Sequence, residues 1–121
     1  MKLSNVIVQV SDLEKSARFY GETLGMRETG RVSEEFVFFD AGASTLAIRK
    51  TRAKPVAGNT ELSFEVPDVR AAYESLKSTV KFTSAPRAVT GKATSDLFAT
   101  DFRDPDGHIL SITSWVPKAK H

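Results

Sequence analysis

The sequence contains no cysteine and only two histidines, and one of these, His121, is the last residue. The lack of cysteine excludes disulfides, thiolate zinc sites, iron–sulfur clusters and cysteine nucleophiles. Two histidines are too few for a histidine-rich metal site. Glycine and proline are also sparse, at 7 and 5 residues, which excludes collagen-like and low-complexity chains.

The 121 residues have neither a large excess of one charge nor a long apolar run. The 17 basic and 15 acidic residues leave a net charge of +2, so the basic stripe of a nucleic-acid-binding protein is missing and we expect no such partner. No apolar run approaches the roughly 20 residues that span a bilayer, and no signal-peptide pattern precedes the first strand. We therefore expect no membrane partner and a cytoplasmic location.

The first half of the chain predicts a strand, a helix and two further strands. Val6, Val8 and Val10 alternate on one face of the first strand. Ser11 and Glu14 form a capping-box pattern, which predicts that the helix begins after Ser11. The apolar residues of the helix recur at three- and four-residue spacing, and Gly25 follows as a C-cap: Leu13, Ala17, Tyr20 and Leu24. Strands are predicted over 36–39 and 45–48.

The second half repeats this order. A strand over 61–66 precedes a helix that opens at Asp68, and strands follow over 97–102 and 108–113. A shift of 56 residues places Val8 on Phe64 and Asp12 on Asp68, and a shift of 64 places Asp40 on Asp104. The agreement of element order and turn positions indicates a duplicated strand–helix–strand unit.

Two motifs carry a resemblance to a known family. The segment 10–20, from Val10 to Tyr20, with Leu24-Gly25-Met26 resembles the opening of vicinal oxygen chelate proteins, the superfamily of glyoxalase I, bleomycin-resistance proteins and extradiol dioxygenases. The segment 102–108, which contains Asp104-Pro105-Asp106-Gly107-His108, is similar to the closing signature of that family. The resemblance covers roughly residues 3 to 116.

The resemblance implies an α+β fold with two tandem βαβββ modules, whose eight strands form a curled sheet around a cavity with the helices outside. We expect a single domain over residues 1–121, with module 1 at about 3–53, module 2 at about 59–116 and a basic tail at 117–121. Family members with metal take their ligands from four positions on the first and last strands of each module.

Those four family positions fall on Asn5, Ala47, Glu61 and Ser111, when the resemblance is combined with strand alternation. Alanine has no donor, and the asparagine and serine are weak neutral ligands, which leaves one carboxylate. A tight divalent site needs three or more good donors. We therefore expect no divalent metal and no other cofactor.

Charged side chains on the inward strand faces are the stronger candidates. Glu61 and Glu65 are expected on one face, close enough to interact electrostatically, and Glu61 is the candidate general base or an anchor for a cationic ligand. Arg49 is expected to pair with Glu65 or to hold an anionic ligand. His108 should lie away from the cavity and serve as a hydrogen-bonded structural residue.

Six residues form the predicted ligand site, together with aromatic side chains from the strands: Gln9, Arg49, Glu61, Glu65, Ser111 and Trp115. Trp115 is expected just past the last strand, where its ring can cover a ligand or a partner subunit. Phe36, Phe38, Phe98 and Phe102 alternate on their strands, as do Val37 and Phe39, and one set should line the concave face.

Two classes of function remain open. The first is a metal-independent homodimer that sequesters a small molecule in a dimeric cavity, similar to the drug-binding branch of the family. The alternative is a superfamily enzyme, a lyase, isomerase or dioxygenase, that uses an atypical metal site or Glu61 as general base. A third possibility is an interaction module with a vestigial cavity. Homodimerisation is expected because a curled sheet leaves exposed edges and an open face.

Overall fold

A computed structural model describes residues 1–119 and contains two modules with the same order of elements. The expectations for Lys120 and His121 in the basic tail lie outside the described residues. Module 1 comprises β1 (Asn5–Val10), α1 (Leu13–Arg18), β2 (Glu28–Val32), β3 (Phe36–Asp40) and β4 (Thr45–Lys50). Module 2 comprises β5 (Glu61–Glu65), α2 (Val69–Leu76), β6 (Arg87–Gly91), β7 (Ser95–Arg103) and β8 (Ile109–Pro117).

The strands of the two modules pair in the same pattern. The first sheet has the order β1-β4-β3-β2 and the second β5-β8-β7-β6. In each sheet the first and last strands of the module are parallel, and the remaining pairs are antiparallel. The predicted α+β fold of two tandem βαβββ modules is confirmed, and hydrogen bonding divides its eight strands into two four-stranded sheets.

The first helix begins one residue later than the capping-box pattern predicts. Asp12, not Ser11, is the N-cap, and its carboxylate accepts a 3.0 Å hydrogen bond from the backbone N–H of Lys15. Ser11 is engaged elsewhere, since its backbone N–H and hydroxyl both donate to Asp106. The helix then widens into a π-helical turn, Phe19–Thr23, and Gly25 follows with φ of +74°, as its predicted role as C-cap requires.

Module 2 differs from the sequence-based expectation at three points. The helix α2 ends at Leu76, although Val80 still packs into the core through the following turn. Trp115 lies within β8 and not past it, because β7 pairs with β8 as far as Pro117. The local pattern did not locate β6, nor its counterpart β2 in module 1, since nearly all of their residues are exposed and show no apolar alternation; both strands were implied only by the family resemblance.

One hydrophobic core joins the modules. It is built from one face of each sheet, both helices and the π-helical turn, and its largest fully buried side chains are Tyr20, Phe39 and Phe102. The rings of Phe19 and Phe102, one from each module, lie 6.3 Å apart. Among residues 1–119, no helix has the length and apolar character needed to cross a membrane.

Candidate functional site

The opposite face of each sheet points away from this core, and we call these the two open faces. The first open face is formed by alternate residues of β1, β4 and β3: Asn5, Ile7, Gln9, Thr45, Ala47, Arg49, Phe36 and Phe38. The second is formed by alternate residues of β5, β8 and β7: Glu61, Ser63, Glu65, Ile109, Ser111, Thr113, Trp115, Leu97, Ala99, Asp101 and Arg103. This is the alternation that the strand pattern predicts, because successive side chains of a strand point to opposite faces.

The first open face carries an aromatic pair under a cation. The rings of Phe36 and Phe38 stack at 5.9 Å with an interplanar angle of 11°. The guanidinium carbon of Arg49 lies 5.2 Å from the centroid of the Phe36 ring. Its Nη2 forms an ion pair at 3.2 Å with Glu35, so the predicted partner Glu65 is wrong. Glu35 precedes β3 and reaches Arg49 because β3 and β4 are neighbours.

A depression of about 400 Å³ lies at the end of this face. Gln9 and Arg49 are opposite each other in the β1–β4 register and both line it, with Glu35, Lys50, Thr51 and Arg52. Three cations face a single carboxylate here, so the depression is positively charged. A guanidinium above an aromatic ring can bind a planar anionic or aromatic group by charge and by stacking.

The second open face carries three carboxylates and one guanidinium, that of Arg103, and its two glutamates are farther apart than expected. Glu61 and Glu65 are four residues apart on β5, a separation of about 13 Å at the rise of an extended strand, with Ser63 between them. That distance exceeds the screening length of about 8–10 Å in ordinary buffers. The expectation that the two carboxylates interact closely is therefore wrong. Both are exposed, and neither forms an ion pair within residues 1–119.

The other two predicted ligand residues lie on β8. Ser111 is buried opposite Ser63. Trp115 is 40% exposed, and the ammonium of Lys92 lies 4.2 Å from the centroid of its ring. The structure thus divides the six predicted ligand residues between the two open faces, with Gln9 and Arg49 on the first and the other four on the second.

The four family ligand positions do not fit a metal. Ala47 is fully buried and offers no donor, and Ser111 is buried as well. Asn5 and Ala47 lie on the first and last strands of module 1, and Glu61 and Ser111 on those of module 2, so Glu61 supplies the one carboxylate among the four positions. Within residues 1–119 no three histidine, aspartate or glutamate side chains are grouped in a way that could hold a metal ion. No chemical step is therefore assigned to a metal here.

His108 occupies a buried position on the core side. Its Nε2 lies 2.7 Å from the backbone carbonyl oxygen of Gln9, and its backbone N–H donates to Asp104. These contacts are those expected of a structural histidine, and they tie the start of β8 to β1. Through them, module 2 supports the strand that carries Gln9.

Sequence reasoning did not separate the aromatic residues correctly, nor did it identify Glu35. Phe36 and Phe38 belong to the open face, whereas Phe98 and Phe102 belong to the core face of the second sheet. The two pairs share the same alternation along their strands, so periodicity alone could not tell them apart. In the structure the open face is marked by Ile7, which is half-exposed directly opposite Ala47, and neither its exposure nor this pairing can be read from the sequence.

Comparison with known proteins agrees with this architecture. The sequence profile of the Glyoxalase/Bleomycin resistance protein/Dioxygenase superfamily matches residues 2–112. The virulence protein STM3117 of Salmonella typhimurium strain LT2 is 26% identical over 123 residues, which cover 95% of this chain and 85% of that protein. The protein YraH of Bacillus subtilis strain 168 is 29% identical over 127 residues, covering 93% and 97%.

Solved structures share the fold at low sequence identity. A glyoxalase/bleomycin resistance protein/dioxygenase from Nocardioides superimposes with a TM-score of 0.80 at 20% identity, covering 99% of this chain and 87% of that one. The crystal structure of STM3117 gives a TM-score of 0.75 at 23% identity, covering 96% and 98%. With the profile match over nearly the whole length, this chain belongs to the Glyoxalase/Bleomycin resistance protein/Dioxygenase superfamily.

Proposed function

We propose that this chain is a metal-independent small-molecule-binding protein that acts as a homodimer, with its ligand held between open faces. The observation that carries the proposal is the exposure of large apolar side chains on both faces. Ile7 is 52% exposed in the middle of β1, and Trp115 is 40% exposed on β8. Apolar side chains that stay exposed beside convergent polar groups are typical of binding surfaces.

The charges of the two faces support pairing of the first face with the second face of another copy. The first face ends in Arg49, Lys50 and Arg52, opposed only by Glu35. The second carries the carboxylates of Glu61, Glu65 and Asp101 against one guanidinium, Arg103, and Asp101 also has Arg87 at 3.8 Å. In a symmetric dimer the first face of each chain would contact the second face of the other chain, so this contact between opposite charges would form twice. The ligand would then contact Gln9 and Arg49 of one chain and Glu61, Ser111 and Trp115 of the other.

Binding would be stoichiometric capture, with burial and stacking on the Phe36–Phe38 pair and Trp115 as the main contributions. Because Trp115 is the only tryptophan, its fluorescence reports on the second open face without interference. We expect some members of a panel of planar drugs and aromatic metabolites to quench or shift this emission, with a stoichiometry of one ligand per chain. A flat response across the whole panel would contradict the proposal.

Two further measurements test whether ligand binding is independent of metal. Protein purified without chelator should contain no stoichiometric zinc, nickel, iron or manganese by elemental analysis. Dialysis against EDTA should leave the affinity for any ligand found unchanged. A stoichiometric metal, or a loss of binding that the metal restores, would overturn this part of the proposal.

A second candidate function is enzymatic, with Glu61 as general base. One observation favours it: the Glu61 carboxylate is exposed on an open face without an ion-pair partner among the described residues. Such a base would remove a proton next to a carbonyl group of a small oxygenated substrate. Deuterium uptake from D2O at that carbon, abolished in Glu61→Gln, would establish catalysis. Binding without any exchange would leave sequestration as the function.

A further inference from the structure

A second cleft lies between the two modules and meets the second open face at Ser63 and Glu65 of β5. It measures about 640 Å³, within the range of small-molecule sites. One wall comes from module 1, from the segment after the π-helical turn and from the turn between β3 and β4. The other comes from β5, α2 and the core face of the second sheet. All of it is present in a single chain, so its formation needs no partner.

The floor of this cleft is apolar and continuous with the core. Leu24 and Met26 lie on one side, and Phe64 and Leu76 on the other. All four are partly buried side chains packed against the hydrophobic core. An alkyl or aromatic group placed here would bury its surface against side chains that are already desolvated, at about 0.8 kcal/mol per methylene group.

The rim of the cleft is acidic. Among the residues that line it, the charged ones are Asp40 and Glu65, and no basic residue lines it within the described part of the chain. Asp40 accepts from the backbone N–H of Gly42 and from Arg27, each at 3.1 Å, and these contacts lower the pKa of its carboxyl. Glu65 has no ion-pair partner in residues 1–119. Its charge is free to meet a cation, although the chain as a whole is positive.

We propose that this intermodule cleft binds a small organic cation with an apolar body, such as an alkylammonium compound. The apolar part would lie against Met26, Phe64 and Leu76, and the cationic head would lie at the rim beside Glu65, because Asp40 already pairs with Arg27. The cleft shares Ser63 and Glu65 with the edge of the second open face, but its lining belongs to a single chain, so it does not depend on dimerisation or on the function proposed above.

The two methionines allow a direct test. Met26 lines the cleft, whereas Met1 is a fully exposed terminal residue, so the protein labelled with ¹³C at the methionine methyl groups gives one reporter and one internal control. Octylammonium, octanol and octanoate each contain eight carbon atoms and carry a cationic, a neutral and an anionic head group respectively. We expect octylammonium to shift the Met26 methyl signal and leave Met1 unchanged, and to bind about tenfold more tightly than octanoate.

Three variants separate the contact with the probe's head group from general effects on the protein. Glu65→Gln should reduce the preference for octylammonium over octanoate to about threefold or less. Glu61→Gln is the matched control, because Glu61 lies on the same face of the same strand but does not line the cleft, and it should leave that preference unchanged. Ser75→Phe should weaken all three probes at Met26 by filling the cleft, since Ser75 is exposed on α2 and its side chain is not in the core.

Three outcomes would overturn the proposal. One is a Met26 signal that none of the probes shifts. Another is octanoate binding as tightly as octylammonium. The third is a loss of preference in Glu61→Gln equal to that in Glu65→Gln, with a change in Trp115 emission, because this would place the probe on the second open face.

Discussion

The hydroxyl of Tyr20 donates a 2.6 Å hydrogen bond to the buried carboxylate of Asp104. The two residues lie 84 positions apart, on the π-helical turn of module 1 and in the turn before β8 of module 2. The other carboxylate oxygen of Asp104 accepts from the backbone N–H groups of Asp106 and His108. One side chain thus shapes the closing turn of the second module and joins it to the first.

Tyr20→Phe should destabilise the fold. The variant leaves one oxygen of the buried Asp104 carboxylate without its donor, which costs about 1–3 kcal/mol of unfolding free energy. Urea denaturation followed by circular dichroism measures the loss. Tyr73→Phe is the control, since the Tyr73 side chain is partly exposed and lies outside this network. Equal stability of the two variants would show that the bond between the modules contributes little.

Tyr20 should also make the protein sensitive to alkali. Burial, followed by the charge of Asp104, raises the pKa of Tyr20 above its ordinary value. Above about pH 10 the unfolded chain therefore releases a proton that the folded chain keeps. Below that pH the protonated Tyr20 makes its full contribution to the free energy of unfolding. Above it this free energy should fall by about 1.4 kcal/mol per pH unit. Urea midpoints between about pH 8 and pH 11 should fall less steeply in Tyr20→Phe, and parallel curves would refute this.

Gly107→Ala should cost more than Gly25→Ala. Both glycines have positive φ, +83° and +74°, so each alanine carries a backbone penalty of about 1–2 kcal/mol. A Cβ at Gly107 would also lie 2.8 Å from the Cβ of Ala57, whereas nothing lies within 4 Å at Gly25. The loss of unfolding free energy in Gly107→Ala, minus the loss in Gly25→Ala, therefore measures the cost of the contact with the loop before β5. Equal losses would mean that this loop moves aside freely.

Ile7→Lys should give a monomer. The substitution places a charge in the middle of the first open face, which the proposed dimer buries, and in the free chain the side chain is already 52% exposed. Sedimentation velocity should show loss of the dimer while the melting temperature of the monomer fold is unchanged. Val56→Lys, at a loop residue that is 67% exposed, is the control and should remain dimeric. A dimeric Ile7→Lys protein would argue against pairing through this face.

The local sequence pattern was sufficient to predict a strand or helix where one face of that element is buried. The alternation of Val6, Val8 and Val10 predicted β1 because the core removes those side chains from water while their neighbours stay exposed. The exposed edge strands β2 and β6 lack that contrast. They form because β3 and β7 offer them unpaired backbone groups, and this requirement leaves little trace in side-chain composition.

The start of α1 shows a second limit of prediction from local sequence. Ser11 and Asp12 both suit an N-cap, and the local sequence favoured Ser11 through its spacing to Glu14. The choice falls to Asp12 because Asp106, 95 residues away, accepts both the N–H and the hydroxyl of Ser11. A contact between modules thus overrides a local preference.

The sequence by itself determined the two modules, the side chains that share a face of each predicted strand, and the absence of cysteine chemistry. These features depend only on residue type and on spacing along the chain. Tertiary structure alone decided that Arg49 pairs with Glu35, that Tyr20 binds Asp104, and that β5 and α2 enclose an apolar cleft with the segment around Met26. These features join residues from separate elements, so they arise only when packing brings distant parts of the chain together.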